Sequence, residues 1–70
     1  MNNYKLMFDG WAESRKIATD SATAVEVFAA LCDFRGLDID RIQTEYDNGG
    51  LSRAYVKDET GDFIALISRL

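Results

Sequence analysis

Residues 46–70 read YDNGGLSRAYVKDETGDFIALISRL, and this stretch decides the fold. The Asp-Asn-Gly-Gly at 47–50 is the strongest local signal in the chain, because an Asn-Gly pair tolerates the positive φ angles of a hairpin turn. Leu51–Lys57 then reads as a strand. DETGD at 58–62 makes a second hairpin loop, with Gly61 available for the left-handed position. The final run, FIALISRL, is apolar on both faces, which suits a central strand or one whose outer face meets a partner. Immediately upstream, Ile42, Thr44 and Tyr46 alternate with Arg41, Gln43 and Glu45, so the first strand of this meander is expected to begin near Ile39.

The period changes on moving toward the amino terminus. In DSATAVEVFAALCDFRG (20–36), Ala24, Phe28 and Leu31, flanked by Val25, Val27, Cys32 and Phe34, cover about half of a helical wheel, with Glu26 and Asp33 opposite. Asp20 or Ser21 can cap the first amides, Thr23 and Glu26 offer a second capping-box start, and Gly36 supplies the residue just past the end. Before the helix, Tyr4, Leu6 and Phe8 alternate with Lys5, Met7 and Asp9 as a half-buried strand. DGWA at 9–12 is a turn, and ESRKIAT (13–19) reads as a second strand, placed at an edge where Lys and Arg discourage unwanted pairing. The expected order is β-β-α-β-β-β: a two-layer α+β fold, residues 1–70 as one domain, with one helix packed on an antiparallel sheet whose other face is left uncovered.

Composition limits what such a domain can do. Hydrophobic residues make up 47% and charged residues 29%, enough apolar surface to fold. A chain of 70 residues has little volume for a substrate cleft. Histidine is absent, which removes Ser-His-Asp and Cys-His chemistry and the common zinc sites. Asp38 and Asp40 are the closest carboxylate pair, and a solvated strand entrance explains them better than acid–base catalysis. The acidic run at 38–50 lacks the glycine at its sixth position and the flanking helices of a calcium loop, and the glycines match no phosphate-binding motif. No enzymatic activity, no cofactor and no metal are expected. Cys32 falls inside the apolar helical pattern as a small core residue, and no apolar run is long enough to cross a membrane or resembles a signal peptide, so a cytoplasmic location is expected.

Eight basic residues against twelve acidic ones give a net charge of −4. That balance opposes direct binding of nucleic acid and suits a protein partner with a basic surface. Asp33, Asp38, Asp40, Glu45 and Asp47 are the candidate electrostatic contacts. A solubilising surface is their ordinary role, and Asp58, Glu59 and Asp62 crowd the second hairpin loop in the same way. Trp11 sits in a turn, where it either packs back over the sheet edge or anchors an interface; Tyr55 is the second aromatic candidate. The remaining aromatics are better explained by core packing than by base stacking.

The layout has a further implication. A hairpin, then ATDSATAVEVFAAL (18–31), then RIQTEYDNGGLSRAYVKDETGDF (41–63) resembles small phage-type inhibitors, the anti-CRISPR proteins with a two-strand, helix, three-strand order. The resemblance covers most of the chain and lies in layout and turn placement. It implies stoichiometric binding to a CRISPR effector subunit in the host cytoplasm, blocking the positively charged path of guide or target nucleic acid. A different expectation is a homodimeric structural or accessory domain in which the open sheet face or the last strand pairs with a second copy, using FIALISRL as the seam through Ile64, Leu66 and Leu70.

Overall fold

The computed structural model describes residues 1–70 and has the expected two layers. Strands β1 (Asn2–Phe8) and β2 (Arg15–Thr19) form the first hairpin, helix α1 spans Ser21–Phe34, and β3 (Gln43–Asp47), β4 (Gly50–Lys57) and β5 (Phe63–Arg69) form the meander. All five strands pair antiparallel in the order β2-β1-β5-β4-β3. The helix carries the chain from one sheet edge to the other, and β5 returns to the centre between β1 and β4. Its two apolar faces follow from that central place, and β2 lies at an edge as its basic residues suggest.

The core lies between α1 and strands β1, β4 and β5. Ala24, Phe28 and Cys32, on successive turns of the helix, bury against Tyr4, Leu6 and Phe8 of β1, Leu51, Ala54 and Val56 of β4, and Ala65 and Ile67 of β5. Phe28 is the central knob, with its ring centroid 5.8 Å from that of Phe8. Asp20 caps the helix by accepting the Thr23 amide at 2.7 Å. At the other end the Leu37 and Gly36 amides donate to the Cys32 and Asp33 carbonyls, the paired bonds of a Schellman cap, with Gly36 at φ +77°.

Three local expectations are corrected. Ile39–Arg41 is a single 3-10 turn capped by Asp38, and the strand begins only at Gln43. The Asp38 carboxylate accepts the Asp40 amide at 2.9 Å, which competes with extended backbone. In the 47–50 hairpin the positive φ falls on Gly50 (+101°) and not on Asn48 or Gly49. Asp47 accepts the Gly49 amide at 2.7 Å, and the register shift beside Tyr46 brings Leu51 into the core. Phe34, counted on the apolar side of the helical wheel, is 89% exposed, because at about 100° per residue it stands roughly 120° round the helix from Phe28, off the face that Ala24, Phe28 and Cys32 bury.

Candidate functional site

The carboxylates proposed from sequence do not form one surface. Asp47 lies beside Gly50 at the start of β4, whereas Arg41, in the turn that carries Asp38 and Asp40, donates to the Lys57 carbonyl at the end of β4, 2.9 Å away. The two groups are separated by roughly 23 Å, the length of that strand. Glu45 and Asp47 are also committed internally. Arg53 donates to both Glu45 oxygens at 2.9 and 3.0 Å, and Tyr55 donates to the same carboxylate at 3.2 Å. Arg69 forms a two-pronged ion pair with Asp47. These hydrogen bonds from arginine hold both carboxyl groups below the usual carboxylate range.

Asp33, Asp38 and Asp40 stay together at the end of the domain where α1 stops. The topology brings two more acidic segments there. Arg35 donates to the Asp9 carbonyl at 2.7 Å, tying the helix end to the β1–β2 loop that holds Asp9 and Glu13. The Asp9 amide donates to the Ile64 carbonyl at 2.9 Å, which fixes the start of β5 and the Asp58, Glu59 and Asp62 hairpin at the same end. Eight of the twelve carboxylates in the chain therefore lie at one end of the sheet. Arg35 and Arg41, the arginines nearest Asp33 and Asp40 in sequence, are turned onto backbone carbonyls. Within this acidic end stand two large apolar side chains, Phe34 and Ile39, the latter 49% exposed. Sequence reasoning missed both: Phe34 follows Leu31 at i+3 and so extends the apolar arc, although it stands off the Ala24–Phe28–Cys32 line that the core buries, and alternation over 39–46 reads as a strand beginning near Ile39.

Two carboxylates of this end carry structural tasks: Asp38 caps the 3-10 turn, and Asp58 organises the second hairpin loop. The Asp58 side chain accepts the Thr60 hydroxyl at 2.6 Å and the Thr60 and Asp62 amides at 2.9 and 3.0 Å, and these bonds lower its pKa.

The aromatic candidates are partly withdrawn from solvent. Trp11 is half-buried, packed at 5.0 Å on Phe8, with the Arg15 guanidinium 4.7 Å over its ring. Tyr55 is 7% exposed; Arg53 and Lys57 stand 5.0 and 5.3 Å from its ring centre, and Phe63 meets it edge-on at 5.0 Å. Both belong to the packing of the sheet and are poor free anchors. β5 is hydrogen-bonded on both sides and offers no free edge to a second copy, so of the two expected dimer modes the topology removes strand pairing through β5 and leaves the open sheet face. Cys32 is fully buried, and burial pushes its thiol up to about 11.

No helix is long and apolar enough to cross a membrane, and no group of three or more Cys, Asp or Glu side chains converges with the spacing of a metal site. No protein-family model matches the chain, and no significant match was found among curated proteins or solved structures.

Proposed function

We propose that this protein is a small, non-catalytic interaction domain that inhibits a nucleic-acid-handling complex by docking its acidic end on a basic protein surface. The observation that carries the reading is the exposure of Phe34 and Ile39 among Asp33, Asp38 and Asp40. A solubilising surface accounts for the carboxylates alone; it does not account for a nearly bare phenylalanine among them. An apolar centre with a charged rim is the usual composition of a protein contact, in which the apolar group supplies affinity and the rim supplies orientation and encounter rate. A groove built to hold phosphates offers the complementary surface: cations at its walls and apolar patches between them. The CRISPR effector subunit implied by the layout is the specific target class we propose.

The test is direct. Purified guide-loaded effectors of several types are mixed with labelled target DNA, and DNA retention is followed as the protein is added. A stoichiometric loss of DNA binding with one effector type, relieved in Phe34→Ala and in the Asp38→Asn, Asp40→Asn double variant, supports the proposal. Unchanged DNA binding and cleavage at a tenfold excess of protein across the panel would contradict the effector as target.

A further inference from the structure

The open face of the sheet reverses the charge of the chain. By strand register, Lys16, Lys5, Ser68 and Arg53 form one continuous row across β2, β1, β5 and β4, about 14 Å long at the usual interstrand spacing. Lys57, two residues beyond Tyr55 along β4, adds a fourth cation, so half of the basic residues of the chain lie on this face. Among them the register places Glu45, which is already bonded to Arg53. Asp47, the next acidic residue along β3, is held by Arg69, whose register partner Tyr4 belongs to the core side.

The neighbouring row is apolar. Met7, Leu66 and Tyr55 follow one another across β1, β5 and β4. A register shift at the start of β5 turns Phe63 onto the same face, where it is 43% exposed. Beside it, between β1, β5 and the Trp11 turn, lies a shallow cleft of about 230 Å³. The net charge argues against nucleic acid, but the local distribution of charge decides what a surface meets at contact distance; along the ladder positions of this face the cations outnumber the one carboxylate, Glu45, and the Asp58–Asp62 hairpin bounds it at the Phe63 end.

We infer that this face binds single-stranded nucleic acid, with backbone phosphates on Lys16 and Lys5 and bases on Phe63 and on the outer face of the Arg53 guanidinium, whose charge is already met by Glu45. Three features favour this occupant over an acidic protein segment. A single strand is itself a row of anions beside a row of flat apolar groups, the two chemistries this face sets side by side. Sheets recognise extended peptides along their edges, where free backbone groups lie, whereas the cations and aromatics here stand on the flat of the sheet. Lys5 and Lys16 face each other directly, a like-charge pair that is unfavourable in the free domain and is relieved by a phosphate between them. The inference concerns a different surface from the acidic end and stands or falls separately from the inhibitor reading.

The experiment is fluorescence anisotropy with a labelled deoxythymidine oligomer of about ten nucleotides, a length within the span of small single-strand modules, at a series of salt concentrations. Two phosphate contacts predict a slope of log affinity against log salt of about −1.4. Lys5→Gln with Lys16→Gln, at two exposed positions, lowers affinity at least about tenfold and brings the slope close to zero, because neither phosphate contact remains. Phe63→Ala lowers affinity about tenfold, the loss of one stacked base, with folding checked by circular dichroism. No binding at low salt, a slope unchanged in the double lysine variant, or a preference for duplex would overturn the inference. So would equal affinity for an oligo-glutamate peptide, which would assign the face to an acidic protein segment.

Discussion

Lys5 and Lys16 are direct partners across the β1–β2 ladder, two exposed ammonium groups facing each other on the uncovered side of the sheet. Like charges in that relation repel, and each opposite-charge pair that replaces one is worth roughly 0.2–1 kcal/mol. Lys5→Glu should therefore stabilise the domain, raising its melting temperature by about 2–4 °C, while abolishing oligonucleotide binding. Thermal unfolding followed by circular dichroism measures the first effect; a lower melting temperature would show that the pair is not a source of strain.

Phe34 and Phe28 lie on the same helix with opposite consequences. Phe28 is fully buried, and Phe28→Ala should cost about 3–5 kcal/mol, enough to unfold much of a domain this small. Phe34→Ala should change stability by less than about 0.5 kcal/mol, the range for exposed positions. Urea titrations of both variants distinguish the two roles. A large loss for Phe34→Ala would mean that the residue packs on the core and is not free for a partner.

Gly50 and Gly61 separate conformational strain from crowding. Both have positive φ, but a Cβ at Gly61 would meet open space, whereas one at Gly50 would collide with the Ser21 hydroxyl. That hydroxyl accepts the Leu51 amide at 2.9 Å and lies 3.3 Å from the Tyr4 hydroxyl, which itself donates to the Leu51 carbonyl at 3.1 Å. Gly61→Ala should cost about 1 kcal/mol, and Gly50→Ala more, roughly 2–3 kcal/mol, as this buried junction between helix and hairpin is disturbed. Equal losses at the two sites, read from denaturant midpoints, would show that the Ser21 junction tolerates displacement.

Acid should weaken the fold through named carboxylates. Asp20 is depressed by its bond from the Thr23 amide, Glu45 by Arg53, Asp47 by Arg69 and Asp58 by Thr60. A group with a folded pKa below its unfolded value binds fewer protons in the native state. Its stabilisation is complete above the unfolded value, 4.5 for Glu45 and 3.8 for the aspartates, and is lost as pH falls through the lower folded value. Denaturant midpoints should hold steady above about pH 5 and decline below it, and Asp47→Asn should make that decline shallower. Parallel curves for the two proteins would show that the Asp47–Arg69 pair adds nothing to native stability.

Much of the fold was legible because its signals are local. The Asp20 cap, the strand alternation at Tyr4–Phe8 and the glycines at 36 and 61 each act within a few residues. Ile39 departs from the strand pattern because alternation over 39–46 cannot reveal that the Asp38 side chain claims the Asp40 amide and curls the chain first. The surfaces were less legible. Segments far apart in sequence gather at the acidic end through bonds such as Arg35 to Asp9, and the basic row on the sheet appears only once register sets Lys16 beside Lys5, with Arg53 in line beyond Ser68. Net charge averages over both surfaces, and so concealed each of them.

The central claim, that the end of the domain around Phe34 is built to meet a basic partner, is tested most directly by titrating the isotope-labelled protein with a lysine hexapeptide and following each backbone amide by NMR. The account predicts shifts confined to Asp33–Arg41, the 9–13 loop and the 58–62 hairpin, suppressed by salt, with the amides of Glu45 and Asp47 unmoved because their carboxylates are already paired. Shifts spread evenly over all exposed carboxylates, or centred on Glu45 and Asp47, would contradict it.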